Sequence, residues 1–412
     1  MGLFWVIHRL ICGIWLTGQS IFTGVWFASL TALWAAPDSR SVISFSGAFV
    51  IIISHCCFFL GSVSGYALLK TRNRRHPSFH CSIETASVLI WAFWILSPVA
   101  VVGALLSIQS SQSLSAFQSG TMGIARSVLL TEIVQMPIYQ RLMANMLYPA
   151  CVIGAICFVV LRKSLRSWVY LILPAIASLL YAFAFGGRGS IMITGPMVVW
   201  IIAVGRREVS GVERWKLSDV LMTVSGIFIV MWFITIMTET RMQSFEVAGS
   251  LYSYFIGPIP ALSEWLSLHQ IPLLDIDLRN LAVIRESARM LGYPYDRLID
   301  YDVAFVPFAF NVFTLLAEQV RDFGILGTMI LTTLLGIISS RLEQLPLTVS
   351  VLGVRGVFYQ YLAFSLFADV AGLVVGWWLA LFMVGIVVPL VSHALSKGNL
   401  VNGSGPVEAT LK

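Results

Sequence analysis

The sequence predicts an all-α polytopic membrane protein of about ten transmembrane helices. Three observations predict it. Hydrophobic residues make up 58% of the 412 residues and charged residues only 11%, where a soluble domain carries about a quarter charged. Mean hydropathy is +0.86. Apolar runs of roughly 20 residues, each long enough to cross a bilayer as a helix, recur along the whole chain.

The runs fall at about 10–34, 43–69, 83–108, 144–161, 168–186, 190–205, 218–237, 323–340, 356–370 and 372–394. The first is too long and too poorly terminated for a signal peptide, so it reads as a retained span. A short turn at Gly186–Gly189 separates spans five and six, and Asp369 and Gly372 supply the one break between the last two. The chain then divides into seven spans in 1–237 with a loop at 109–143, a large loop segment at 238–322, three spans in 323–394 and a tail at 395–412.

Basic residues set the orientation. Sixteen of the 26 lie on one side, many in clusters such as KTRNRR and RKSLR. The positive-inside rule makes that side cytoplasmic and places both termini there. The same rule explains much of a sequence pI near 9.1, so the basic excess implies no nucleic-acid partner. All five lysines are on the cytoplasmic side; the ten outer basic residues are all arginines. Arginine grips phosphate or carboxylate with a planar fork. Arginine also outnumbers lysine 21 to 5 in the whole chain, so composition alone produces much of the same bias.

The six cysteines fall in or beside apolar runs, with no CxxC. They imply neither a disulfide framework nor a Cys-ligated metal. Of the two long outer loops, Thr238–Phe310 is the larger. Within it, Leu281, Ile284, Ala288 and Leu291 form one face of an amphipathic helix, while Arg285 and Arg289 share another. Such a helix either covers a site or lies at the membrane interface without chemistry.

Three stretches carry candidate chemistry. In GGRGS, glycines 186, 187 and 189 permit close backbone approach, and a helix starting near Ser190 would offer free N–H groups to an anion. Arg188 adds a fixed charge. An arginine at membrane depth is by default a functional residue; the competing reading is a side chain snorkelling to the headgroups. In TETRMQSF, Arg241 stands at the outer end of span seven. Two arginines at similar depth suit a diphosphate, although Arg241 also reads as an interfacial anchor. In FNVFTLLAEQVRDFGILG, the residues Asn311, Thr314, Glu318, Arg321 and Asp322 fall within about 100° of helical arc. A narrow polar stripe on a helix entering the membrane should face protein or a wet cavity. Glu318 and Arg321 can form a structural i,i+3 pair, or a carboxylate there can act as a base.

The acid pairs DID at 275–277 and DYD at 300–302 are of a kind that holds metal in some sugar transferases, but such pairs are common in loops. No metal or other cofactor is expected. His269 is the one outer-loop histidine and reads as an ordinary polar residue more readily than as a base. HExxH, P-loop and GxSxG motifs are absent from the sequence, which argues against ATP hydrolysis and serine chemistry.

The sequence resembles the bacterial Wzy-type O-antigen or oligosaccharide repeat-unit polymerases. The resemblance rests on SLLYAFAFGGRGSIMI between spans five and six, on an outer loop that opens with an arginine and then LYSYFIGPIPAL, and on NVFTLLAEQVRDFGILG leading back into the membrane. It implies an architecture like that of the lipid-dependent, multi-span GT-C sugar transferases, in a bacterial inner membrane. It implies transfer of a growing glycan from undecaprenyl diphosphate to the next lipid-linked repeat unit on the periplasmic face. A chain-length regulator is an expected partner. By motif position, Arg188 and Arg241 match the family's substrate-binding arginines, Tyr254 and Gly257 its tyrosine–glycine loop, and Asn311, Arg321 and Asp322 its final loop.

In that chemistry, arginines stabilise charge on the leaving diphosphate. Glu318 or Asp322 is then the candidate catalytic base, with Arg188, Arg241, Tyr254, Asn311, Arg321, Arg285 and Arg289 binding substrate. The competing readings are an O-antigen ligase, a transporter or flippase for lipid-linked sugars, and a non-catalytic scaffold. The setting of His269 does not match the ligases' characteristic histidine. The nearly charge-free mid-span regions weigh against transport.

Overall fold

In the computed structural model the described residues are 17–35, 43–67, 79, 81–111, 137–161, 165–184, 189–210, 256–276, 283–284, 287–288, 291, 293, 304–305, 309–310 and 314–401. They are helical almost throughout. Six helices are long and apolar enough to cross a membrane: Phe45–Ala67, Ile83–Ser110, Ile138–Val160, Gly189–Arg206, Leu315–Gln344 and Val375–Lys397. Val169–Ala184 and Val349–Phe364 are shorter apolar helices. Trp34, Phe45 and Trp91 are exposed, as suits side chains facing lipid. These are the features of a polytopic membrane protein.

The chain forms two units. The first comprises residues 1–75, 248–345 and 358–375, and the second 76–247, 346–357 and 376–412. The first unit holds α1 (Gly18–Ala35), α2 (Phe45–Ala67), α8 (Pro258–Leu268), the short β1 (Ala304–Phe305) and β2 (Ala309–Phe310), α9 (Leu315–Gln344) and α11 (Val370–Leu373). Its main contact is α2 on α9. Without a hydrophobic force between helices in lipid, close approach at small residues carries the association. A Cβ on Gly61 of α2 would overlap the carbonyl of Thr333, and one on Gly336 of α9 would overlap the carbonyl of Phe58. Phe22 of α1 stacks on Phe58 and His55 of α2, with ring centroids 4.6 and 4.7 Å apart. At the far end of α9, Glu343 Oε1 accepts from the N–H of Gly18 at 2.7 Å, Ser339 Oγ at 3.2 Å and Tyr359 Oη at 3.3 Å.

The second unit holds α3 (Ile83–Ser111), α4 (Ile138–Asn145), α5 (Leu147–Val160), α6 (Val169–Ala184), α7 (Gly189–Ser210), α12 (Val375–Phe382) and α13 (Val388–Val401), the last two joined by a π-helical turn at Met383–Val387. α10 (Val349–Phe364) contributes to both units. Every residue of α5 from Leu147 to Val159 is buried, as a helix apolar on all sides must be when it lies at the centre of a bundle. Ser178 of α6 and Thr194 of α7 share a hydrogen bond of 2.9 Å, and Thr194 Oγ1 also bonds Ser190 O at 2.8 Å.

Two spans differ most from the sequence expectation. The helix expected at 323–340 begins at Leu315 and is bent at Gly324, with φ 69° and ψ −177°. That conformation is open essentially to glycine alone. The helix expected at 356–370 runs over Val349–Phe364. It stops before Asp369, whose side chain instead caps α11. The expected span 218–237 lies outside the described residues. So does most of the amphipathic helix around 281–291, of which Leu291 is exposed.

Candidate functional site

The polar cluster lies in the first unit, at the start of α9. Thr314 is the N-cap: its Oγ1 accepts from the N–H of Ala317 at 3.2 Å. The N–H of Leu315, another of the first-turn donors without a helical partner, donates to Ser365 O at 2.8 Å. That bond pins the 365–369 segment to the first turn of α9. Ser365 Oγ in turn accepts from Trp26 Nε1 at 3.0 Å, so α1 supports the same segment.

Glu318 follows in the first turn, where a helix dipole favours negative charge. Arg321 Nη2 donates to Glu318 Oε2 at 2.5 Å, and Arg321 Nε donates to Asp322 Oδ1 at 3.0 Å. The arginine side chain is 31% exposed, whereas Glu318 and Asp322 are 12% and 6% exposed. The i,i+3 pair anticipated from sequence is therefore present, and Asp322 makes it a triad. With both acids ionised the triad carries a net charge of −1. A group with that charge repels phosphate and suits hydroxyl donors.

Gly324 comes two residues after Asp322. Its bend frees backbone groups, and the segment after α8 takes them up. Ile325 N donates to Pro272 O at 3.3 Å, Leu326 N to Leu273 O at 2.8 Å, and Asp275 N to Phe323 O at 3.1 Å. A Cβ at Gly324 would also press on the carbonyls of Pro272 and Leu273. The bend thus gives the two turns bearing the triad their own direction, apart from the apolar remainder of α9.

The 365–369 segment adds a third carboxylate, Asp369, at what the sequence shows as a break between spans. Asp369 Oδ1 accepts from Ala371 N at 3.0 Å. Asp369 also accepts from the backbone of Gly372 and from the hydroxyl of Tyr361 on α10. Burial, followed by the negative charge of Glu318 and then of Asp322, pushes Asp369 up to about 6. Gln319 also bonds Tyr361, and its Oε1 is buried with no hydrogen-bond partner among the described residues.

The signal for Asp369 was available in the sequence: a lone acid between two apolar runs is costly unless it has a task. Tyr361 and Gln319 offered no such signal. Arg188, Arg241, Tyr254, Asn311, Arg285 and Arg289 lie outside the described residues. Gly257 precedes α8, with Pro258 at the first helical position. His269 ends α8 and stacks on Trp265 at 4.9 Å. Asp275 of the DID pair is bonded locally, its Oδ1 accepting from Ile276 N at 2.8 Å. Among the described residues no three His, Cys, Asp or Glu side chains come together as a metal site would need.

No protein-family model, curated protein or solved structure matches the chain.

Proposed function

We propose that this protein polymerises undecaprenyl-diphosphate-linked oligosaccharide repeat units into O-antigen or a related surface polysaccharide. It is then a glycosyltransferase of GT-C-like architecture with about ten spans, both termini in the cytoplasm and its site on the periplasmic face of a bacterial inner membrane. The observation that carries the reading is the Glu318–Arg321–Asp322 triad at one end of a long membrane helix. A lipid-linked sugar presented at that helix end would meet these polar groups.

The chemistry needs little from the protein. The donor sugar is linked at C1 to diphosphate, already a good leaving group. A hydroxyl of the acceptor sugar attacks C1, the C1–O bond to diphosphate breaks, and the electron pair leaves with the phosphate. Arg188 and Arg241 hold the diphosphate and stabilise its developing charge. Tyr254, Asn311, Arg285 and Arg289 supply further contacts to the substrate in this reading. The triad, net negative, binds acceptor hydroxyls. Positioning supplies much of the rate, and no nucleotide is consumed.

Deleting the gene in its host and separating the surface glycans on a gel tests the reading. Loss of the ladder down to one attached repeat, restored by the wild-type gene, is expected. Loss of all attached glycan would point to a ligase instead. An intact ladder would remove the polymerase reading and favour transport or scaffolding.

A further inference from the structure

The polymerase reading needs a group to take the proton of the attacking hydroxyl. Glu318 and Asp322 are the obvious acids, but both are bonded to Arg321. Asp369 is different. It is buried, its bonds come from two backbone N–H groups and a phenol, and Arg321 makes its two ion pairs with the other acids. The Leu315–Ser365 bond holds its segment against the first turn of α9. An independent feature marks the same corner as a place for a hydroxyl. Gln319 is buried, reaches Tyr361 and through it Asp369, and its Oε1 has no donor among the described residues. A buried acceptor left open is costly unless a ligand fills it.

We propose that Asp369 is the proton acceptor for the attacking hydroxyl, and that Gln319 with the Glu318–Arg321–Asp322 triad binds hydroxyls of the acceptor sugar. This assignment rests on the polymerase reading. As the new C1–O bond forms and the C1–O bond to diphosphate breaks, the O–H proton passes to the Asp369 carboxylate. The electron pair of the broken bond leaves on the diphosphate. Tyr361 donates to Asp369 and holds it in place as a positioning residue. A base titrating near 6 is still ionised at neutral pH yet strong enough to accept the proton.

The test uses the full chain, purified in detergent, and polyprenyl-diphosphate-linked glycan extracted from the deletion strain. Wild type is compared with Asp369→Asn, Asp369→Glu and Tyr361→Phe. Asp369→Asn should lower kcat about 100-fold or more with KM little changed, the range for loss of a general base. Asp369→Glu should recover part of that loss. The wild-type kcat should fall on the acid side with a midpoint near pH 6. Tyr361→Phe, which deletes one bond to the ionised carboxylate, should move that midpoint upward.

A folded Asp369→Asn protein within about threefold of wild-type activity would overturn the assignment and leave the polymerase reading standing. If Asp369→Asn does not fold, an acid limb unmoved by Tyr361→Phe would overturn it equally. A wild type that joins no repeat units would sink both together.

Discussion

Arg321 holds two carboxylates of its own helix at once: Nη2 bonds Glu318 Oε2 at 2.5 Å and Nε bonds Asp322 Oδ1 at 3.0 Å. Both acids already accept a hydrogen bond from the arginine, and its fork is occupied by them. Arg321→Gln would leave two carboxylates facing each other, while adding Glu318→Gln removes one of them. Unfolding of the two single variants and the double variant should give a coupling of about 1 kcal/mol. That is the low part of the range for contacting residues, because a third of the arginine side chain is exposed to screening. Additive effects would show that the pair does not act as a unit.

Gly324 is the hinge between the triad and the rest of α9. Gly324→Ala must take up φ 69° and press a methyl group on the Pro272 and Leu273 carbonyls. A cost of about 1–3 kcal/mol is expected for that backbone conformation, seen as a lower thermal midpoint. Polymer formation should also fall, since the triad must change direction. A variant with wild-type stability would contradict the hinge.

Asp369 makes stability depend on pH in a defined direction. Its folded-state value, about 6, lies above the reference 3.8. Below about pH 4 it is protonated in both states and adds no penalty. Between about pH 4 and pH 6 the unfolded chain ionises first, so this contribution to stability is lost as pH rises. The full loss is up to about 3 kcal/mol. Asp369→Asn keeps the cap and the Tyr361 bond but cannot ionise. It should be more stable than wild type at pH 7 and equal to it at pH 4 in paired thermal scans. Together with the expected loss of activity, this would show a carboxylate kept at a cost in stability.

Glu343 does the opposite task at the other end of α9. Three donors converge on its Oε1. Glu343→Leu would remove the acceptor shared by the Gly18 N–H and the Ser339 and Tyr359 hydroxyls. A stability loss of about 1–3 kcal/mol is expected, with the kcat of the surviving folded protein unchanged. A selective fall in kcat would place Glu343 in the chemistry and contradict its role as an anchor.

Much of this architecture was legible because hydropathy is additive along a chain. Runs such as 83–108 and 144–161 were readable without knowledge of their neighbours. The Glu318–Arg321–Asp322 arc was legible for the same reason, being set by local helical geometry. What was hidden depends on contacts distant in sequence. The bend at Gly324 is stabilised by Pro272–Asp275, some fifty residues away, and the DFG letters alone did not show it. Asp369 reads as punctuation until the Leu315–Ser365 bond brings its segment to α9. Glu343 lies beside Arg341 at a helix end, where a charge is unremarkable, and its partners Gly18 and Tyr359 are found only through the fold.

The central claim is a glycosyl transfer from a lipid diphosphate that needs no nucleotide. Purified protein should be incubated with lipid-linked repeat units from the deletion strain, without nucleotide, and the products followed by mass spectrometry. The account predicts glycans of two or more repeats and one free polyprenyl diphosphate released for each new linkage. Intact single repeats after incubation with folded protein, in substrate that an active extract does polymerise, would contradict it.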